Sequence, residues 1–189
     1  ITEEDRTFLG NAIPQFYYGG NLNLSWKSFD LSVQFQGEFK KKIMMESSFG
    51  MDFGALYDYA NMFKEVYDNR WTKEGDNSYY PALGSGIRGI NNECNSRWVQ
   101  DASYLRVKSI QLGYTLPTKI LSLTPIKNVR VFFTGTNLFT FSKYPGFDPE
   151  MGTLQKRADS TGYMDKVYTR GGCDYPQAKT MQLGVNIIF

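Results

Sequence analysis

The stretch Met181-Gln-Leu-Gly-Val-Asn-Ile-Ile-Phe189, which closes the chain, places an apolar side chain at every second position. One parity is apolar throughout: Met181, Leu183, Val185, Ile187 and Phe189. The other parity begins with polar or small residues: Gln182, Gly184 and Asn186. A period of two predicts a β-strand with one apolar and one polar face. Because a strand whose apolar face touches lipid is bordered by aromatic residues, the terminal aromatic favours a membrane β-barrel.

Four earlier segments show the same alternation. Strands are predicted at about residues 16–26, 29–39, 104–116 and 128–140, and the terminal strand is predicted at 177–189. Soluble strands typically run about 5–6 residues, whereas a strand that crosses a bilayer needs about 9–11. All five segments have the greater length. The sequence therefore predicts an all-β fold, a transmembrane antiparallel β-barrel segment.

Aromatic residues recur ten positions apart on the predicted apolar faces: Phe16 and Trp26, Phe29 and Phe39, Tyr104 and Tyr114. Ten residues rising about 3.3 Å each, tilted by about 40°, span about 25 Å, the height of the apolar band between two aromatic girdles. Within the third strand, Leu105 and Val107 fall on the opposite parity from the later apolar residues. This break predicts a β-bulge or a covered inner face near the start of that strand.

The connections between the predicted strands differ greatly in length. Residues 27–28 form a tight turn and residues 117–127 a short one, whereas 40–98 and 141–176 are long. Barrels of the outer membrane have short periplasmic turns and long extracellular loops, so residues 1–15, 40–98 and 141–176 are predicted to be extracellular. The first long loop holds one helical pattern, from Leu56 to Tyr67 with Asp52 as its N-cap. That helix packs on its own barrel or, alternatively, binds a partner.

Composition limits the possible functions. The 189 residues have a mean hydropathy of −0.42, and no segment approaches the roughly 18 apolar residues of a membrane helix. The net charge is +2 without a basic stripe, so no nucleic-acid partner is expected. The chain has no histidine, which removes histidine-dependent catalysis and most zinc sites. We therefore expect no enzyme, no cofactor and no metal. Cys94 and Cys173 are either bridged or two unpaired thiols.

Two sets of residues are candidates for binding. The first set lies on the polar parity of the second strand and is predicted to face the barrel lumen: Asp30, Gln34, Gln36 and Glu38. The second set consists of aromatic residues in the long loops, which can stack on sugars or pack against a partner protein: Trp71, Tyr79, Tyr80, Trp98, Tyr144, Phe147, Tyr163 and Tyr168. Simple packing of the loops is the alternative for each aromatic residue.

Several blocks of sequence resemble the late barrel of the SusC/RagA-type TonB-dependent transporters, in that family's order and spacing. They are Asp5-Arg-Thr-Phe-Leu-Gly-Asn-Ala-Ile-Pro-Gln-Phe-Tyr-Tyr-Gly-Gly20, Asp30-Leu-Ser-Val-Gln-Phe-Gln-Gly37, Asn69-Arg-Trp-Thr72, Ser103-Tyr-Leu-Arg-Val-Lys-Ser-Ile-Gln-Leu-Gly-Tyr-Thr-Leu-Pro117, Arg130-Val-Phe-Phe-Thr-Gly-Thr-Asn-Leu-Phe-Thr-Phe141, Lys143-Tyr-Pro-Gly-Phe-Asp-Pro-Glu150 and Tyr175-Pro-Gln-Ala-Lys-Thr-Met181. Together these blocks cover most of the chain.

The resemblance implies more than the periodicity shows. Members of that family form barrels of about 22 strands in the outer membrane of Bacteroidetes-type bacteria. A SusD-like surface lipoprotein caps the barrel, the TonB complex drives import, and the cargo is an oligosaccharide or a peptide. This chain would supply about five C-terminal strands, and the plug, the TonB box and the remaining barrel strands would lie elsewhere. Phe189 resembles the terminal aromatic signal read by barrel-assembly machinery.

The chain begins at Ile1 rather than methionine, so it is expected to be a processed or excised part of a longer protein. The alternative function is a surface-attached all-β glycan-binding module that uses the loop aromatics. Such a module needs a second sheet to cover the long apolar faces, and the sequence has no further alternating segments from which that sheet could form.

Overall fold

The computed structural model describes residues 3–45, 64–82, 95–157, 166–171 and 175–189, and the statements below concern these residues. The chain divides into two compact units. The sheet unit comprises residues 16–39, 104–142 and 177–189. The loop unit comprises residues 1–15, 40–103 and 143–176.

Strands dominate the described residues. In chain order they are β1 Phe16–Trp26, β2 Phe29–Phe39, β3 Lys42–Met45, β4 Val99–Asp101, β5 Tyr104–Thr115, β6 Asn128–Ser142, β7 Thr153–Arg157, β8 Lys166–Gly171 and β9 Thr180–Ile188. The helices are short: a 3-10 turn at Glu3–Asp5, α1 at Lys64–Asp68 and α2 at Thr118–Leu121. No helix within the described ranges has both the length and the apolar character to cross a membrane.

The sheet unit is one antiparallel sheet with the strand order β1-β2-β5-β6-β9. β1 and β2 have the bounds that alternation predicted. β5 ends one residue before the predicted end and β6 continues two residues further. β9 starts three residues after the predicted start and ends one residue before the predicted end. The predicted fold class, an antiparallel β-sheet of long strands, is confirmed.

The turns of the sheet unit follow from its sequence. Lys27 adopts a left-handed backbone with φ of 54°, as the first residue of a two-residue hairpin turn often does. The β5–β6 connection contains α2, which follows Pro117. At the end of the sheet that carries these two short connections, the last residues of β9 pair with the first residues of β6, and Asn128 pairs with Ile188. The chain leaves the sheet for its long connections at the opposite end, after Phe39 and Ser142.

The predicted irregularity in β5 is a β-bulge. Gln34 pairs with Ser109, whereas Phe35 pairs with Val107, so Lys108 is the extra residue. The β5–β6 register shifts at the same place. Because of the bulge, Leu105 and Val107 return to the face that carries the other apolar side chains.

The loop unit contains a second sheet, which the sequence did not predict, with the order β4-β3-β8-β7. Its strands are short, and β3 pairs antiparallel with β4 but parallel with β8. A small core lies within this unit and consists of Ile43, Met45, Ala102 and Tyr144. The predicted helix at 56–67 overlaps α1 only at its end, and its earlier part lies outside the described residues.

Candidate functional site

The two faces of the sheet unit differ in chemistry because its strands alternate. Residues paired directly across strands point to the same side. One side carries exposed apolar side chains from all five strands, among them Leu22, Phe35, Leu112, Phe139 and Leu183. Leu183 in β9 is 77% exposed. An apolar surface of this extent is typical of contact with lipid or with another protein.

Aromatic rings border this apolar face. At one end the Phe16 and Phe39 ring centroids lie 6.3 Å apart, and at the other end Phe29 and Tyr114 lie 4.7 Å apart. The prediction that Tyr104 shares this face with Tyr114 is wrong. Since the bulge at Lys108 adds one residue between them, Tyr104 points to the polar side.

A charge pair lies on the polar face of the sheet unit. Arg130 Nε donates to Asp30 Oδ1 at 3.0 Å, and Arg130 Nη2 donates to Asp30 Oδ2 at 2.5 Å. Arg130 also donates to Gln111 Oε1, and Gln111 donates to Thr134 Oγ1 at 3.0 Å. A bidentate pair of this kind fixes the relative orientation of the two side chains as well as pairing their charges. It connects β2 to β6 across the intervening β5.

Two glycines make room for side chains on this face. A Cβ on Gly113 would overlap the Asp30 carboxylate and the Arg130 guanidinium, and a Cβ on Gly184 would overlap the Phe132 ring. Glycine in a strand often marks such a close approach. The side chains of β2 and β6 therefore lie flat over the neighbouring strands.

A second group of polar side chains lies nearer the end with the long connections. Arg106 Nε donates to Thr140 Oγ1 at 2.9 Å, and Gln36 Nε2 lies 3.5 Å from the Tyr104 hydroxyl. The Arg106 guanidinium lies 5.6 Å from the centroid of the Tyr104 ring. Both Tyr104 and Arg106 are buried at 3% exposure. Sequence reasoning missed these two residues, because the bulge reverses their parity.

The four side chains predicted to face the lumen share the polar face. Asp30 belongs to the charge pair, Gln36 approaches Tyr104, and Glu38 pairs in register with Tyr104. Gln34 is exposed on the same side. Arg130 was missed, although its position on the polar parity of β6 is a signal that a partner for Asp30 was available. That this face lines a lumen remains a proposal.

Two of the predicted binding aromatics are buried instead. Trp98 is 4% exposed and packs with Val66, and Tyr144 belongs to the core with Ile43. This corrects their placement, because buried rings stabilise the loop unit and present no surface. For these two residues, the alternative to a binding role, simple packing within the loops, is the one that the structure shows.

Three of the predicted aromatics are exposed: Trp71, Tyr79 and Phe147. Trp71 and Tyr79 lie on two paired segments, because the Trp71 amide donates to the Tyr80 carbonyl at 2.8 Å. The Tyr79 ring meets Tyr80 edge-on at 5.0 Å, and Tyr80 lies 6.3 Å from Trp98. The partly buried Tyr80 ring therefore lies between the exposed ring of Tyr79 and the buried ring of Trp98. Tyr163 lies outside the described residues, and of Tyr168 the structure gives the backbone, in β8.

Two aspartates of the loop unit have lowered pKa values. Hydrogen bonds from the Thr72 hydroxyl and amide, together with the Lys73 amide, lower the pKa of Asp76. For Asp101, burial opposes ionisation, but hydrogen bonds from Ser103 and the nearby Lys42 ammonium lower the pKa on balance. The Asp76 carboxylate stabilises its own turn, whereas the Asp101 carboxylate links β4 to Lys42 in β3.

The expectations for metal ions and cysteines can be compared with the part of the chain that the structure describes. Among the described residues, no group of three or more acidic, histidine or cysteine side chains is arranged to hold a metal ion. Cys94 and Cys173 lie outside the described residues. Phe189 is exposed at the end of β9, and its role in assembly stays a prediction.

No family model matches the chain. Among curated proteins, it is 32% identical over its full length to TonB-dependent receptor P3 of Formosa agariphila, of which it covers 18%. It is 30% identical to TonB-dependent receptor SusC of Bacteroides thetaiotaomicron over 60% of the chain and 10% of that receptor. Among solved structures, the RagAB peptide importer in its closed-closed state matches 94% of the chain and 18% of the solved chain, with a TM-score of 0.70 and 25% identity.

The match to receptor P3 runs along the whole chain, and the match to RagAB runs along 94% of it. The chain belongs to the SusC/RagA-type TonB-dependent receptors. It spans about a fifth of the length of the curated receptors that it matches over its full length. The sheet unit is accordingly a segment of a barrel wall, and the loop unit consists of connections that leave that wall at one end.

Proposed function

We propose that the chain forms part of the wall and the loops of a TonB-dependent outer-membrane importer. The observation that carries this proposal is the contrast between the faces of the sheet unit. One face exposes large apolar side chains along strands of bilayer-spanning length, and the other carries a hydrogen-bonded polar network. At the family level, TonB-dependent receptors are outer-membrane proteins, and we assign this chain to a Bacteroidetes-type bacterium.

In this proposal the apolar face contacts lipid and the polar face lines the lumen. Asp30, Gln34, Gln36 and Glu38 then meet water, the plug or passing cargo. The end of the sheet with the short turns is periplasmic, and the loop unit is extracellular. Energy coupling through TonB takes place in parts of the receptor outside this chain, and the segment itself performs no catalysis.

The exposed aromatics of the loop unit are our proposed partner and cargo surface: Trp71, Tyr79 and Phe147. The partner is a SusD-like surface lipoprotein, and the similarity to SusC and to RagAB supports this partnership. RagAB is a peptide importer. For this chain we keep oligosaccharide and peptide cargo as the two classes to be tested.

Import is tested by deleting the full-length gene in its own organism and growing the strain on a mixture of neutral oligosaccharides and peptides. We expect one class of compound to stay in the medium, and reintroduction of the gene to restore its uptake. A control gene lacking the TonB-binding segment should insert in the outer membrane without restoring uptake. Unchanged depletion of both classes in the deletion strain would refute the importer.

The partner surface is tested in the same strain by changing Trp71, Tyr79 and Phe147 to alanine together. We expect weaker co-purification of the lipoprotein with normal barrel assembly, because exposed aromatic rings dominate such interfaces. Tyr175→Ala, another exposed aromatic of the loop unit, is the matched control. Equal recovery of the lipoprotein from the triple variant would remove these residues from the interface.

A further inference from the structure

The end of the sheet unit with the short turns carries a cluster of positive charge. The β1–β2 turn and the β5–β6 connection hold three exposed lysines: Lys27, Lys119 and Lys127. Within residues 24–32, 112–130 and 181–189, the only acidic side chain is that of Asp30, and it is paired with Arg130. The side chains at this end of the sheet therefore carry an excess of positive charge.

Strand pairing brings the lysines to one rim of the sheet. The Thr115 amide donates to the Ser28 carbonyl at 2.8 Å, so the β1–β2 turn lies beside the end of β5. The Lys127 amide donates to the Ile188 carbonyl at 2.7 Å, at the start of β6. Because β5 alone separates β2 from β6, two strand spacings place the backbones of Lys27 and Lys127 about 10 Å apart.

Exposed apolar side chains lie next to these charges. α2 buries Leu121 and leaves Ile120 exposed, and Leu123 in the following turn is 97% exposed. The Lys27 ammonium lies 4.7 Å from the centroid of the Trp26 ring. By its register with β2, Trp26 belongs to the aromatic border of the apolar face. The positive charges therefore begin where the apolar face ends.

We propose that this rim binds the headgroup of an anionic phospholipid. The rim is defined by five residues and is called the lysine rim: Lys27, Lys119, Ile120, Leu123 and Lys127. The lysine ammonium groups pair with the lipid phosphate, while Ile120 and Leu123 contact the upper part of the acyl chains. The inference rests on the proposed function, which places the apolar face in lipid and the short turns on the periplasmic side. The ligand is accordingly a lipid of the periplasmic leaflet.

The chemistry of the lysine rim fits a phospholipid better than a soluble anion. Lysine side chains can lie along an apolar surface while their ammonium groups reach the headgroup level. Basic residues beside exposed leucine and isoleucine are typical of surfaces that lie at the boundary between headgroups and acyl chains. A soluble anion would use the charges and leave Ile120 and Leu123 in water. A carboxylate on Phe189 would offset one of the three charges and leave two.

The position of the lysine rim also favours a lipid. The rim continues directly from the apolar face, because the Trp26 ring that borders this face also contacts the Lys27 ammonium. A lipid whose chains lie against the apolar face therefore has its headgroup beside the lysines. A zwitterionic lipid can occupy the same place, but its net charge of zero gains less from them.

The test measures which lipids the full-length receptor retains together with its partner. The complex is titrated in detergent with anionic phosphatidylglycerol and with zwitterionic phosphatidylcholine of the same acyl chains, and native mass spectrometry counts the bound lipids. We expect phosphatidylglycerol to be retained about fivefold better, the attraction of a single lysine for an anionic lipid surface. Changing the three lysines of the rim to glutamine together should remove most of this preference.

A matched control removes three exposed lysines from the opposite end of the same strands. Lys40 and Lys143 follow β2 and β6, and Lys179 precedes β9. Changing these three to glutamine alters the net charge equally and should leave the preference unchanged. Ile120→Ser with Leu123→Ser should lower the retention of both lipids alike, because it removes apolar contact and keeps the charges.

Three results would overturn the inference: the wild type retains both lipids equally, the rim variant keeps the preference, or the control variant loses it to the same extent. Uptake separates this failure from failure of the importer. A wild-type receptor that imports cargo and retains the two lipids equally refutes the lysine rim and leaves the importer standing. A wild-type receptor that assembles and imports nothing refutes the importer.

Discussion

In the sheet unit the large apolar side chains are exposed on one face, whereas in the loop unit large apolar side chains form small buried cores. Leu22 and Leu183 are exposed on the sheet, while Ile43 and Val66 are almost completely buried in the loop unit. The charge pair of Asp30 and Arg130 lies on the opposite, polar face of the sheet. The two units therefore expose different chemistry, which agrees with our proposal that the sheet contacts lipid and the loops contact water.

The first way to test this contrast is to remove a buried ring from the loop unit. Trp98→Ala leaves a cavity beside Val66 and the partly buried Tyr80, and such truncations cost about 3–5 kcal/mol. We expect the loops of the full-length receptor to become sensitive to trypsin while the barrel still assembles. Phe147→Ala, an exposed aromatic of the same unit, should change neither property. Loss of barrel assembly with Trp98→Ala would show that the units do not fold separately.

The second test places a charge on each face of one strand. Leu183→Arg puts a cation on the apolar face of β9 and should cost about 2–4 kcal/mol if that face meets lipid. Gln182→Arg puts the same charge on the adjacent polar position and should be nearly neutral. Equilibrium unfolding of the full-length receptor in lipid vesicles measures both. Equal costs for the two variants would contradict the assignment of the faces.

The five long strands could be predicted because their signal is local. Alternation within β1 and β2 fixes their faces without reference to any distant residue. The bulge in β5 was visible as a parity break at Leu105 and Val107. Its consequence for Tyr104 was missed, because the aromatic spacing was counted as if the strand were regular.

The second sheet and the charge pair were not predictable in the same way. Met44 in β3 pairs with Arg170 in β8, far along the chain, and strands of three to six residues contain too few positions to show a period. Arg130 and Asp30 are 100 positions apart, and their contact depends on the register of three strands. Which loop aromatics are buried likewise depends on tertiary packing that the sequence does not display.

The third prediction concerns the close contact over β5. Gly113→Ala adds a methyl group where the Asp30 carboxylate and the Arg130 guanidinium now lie, so one of them must move. We expect a loss of about 1–3 kcal/mol in vesicle unfolding, the usual cost of overpacking. In an Asp30→Ala background the same substitution should cost less, because the obstructing carboxylate is gone. Identical costs in the two backgrounds would show that the pair does not occupy this space.

The smallest effect is expected when the pH is lowered, and it concerns the stability of the loop unit. The pKa of Asp101 is lowered in the folded state, so its carboxylate stabilises the unit above the ordinary aspartate pKa of about 3.9. That stabilisation is lost as the pH falls through the lower folded pKa. Since the Lys42–Asp101 pair is partly exposed, the contribution is about 0.2–1 kcal/mol.

Asp101→Asn should therefore increase proteolytic cleavage of the loops slightly at pH 7, where trypsin is used, and by less as the pH falls below the ordinary aspartate pKa. Acid-stable pepsin replaces trypsin for the low-pH measurement. Glu74→Gln, a change to an exposed carboxylate of the same unit, is the control and should leave cleavage unchanged at both pH values. The charge pair on the sheet unit contributes to wall stability instead, so vesicle unfolding of Asp101→Asn should match that of the wild type. A lower stability of the wall in Asp101→Asn would mean that the loop unit supports the barrel, and the two units would then have to be treated as one folding unit.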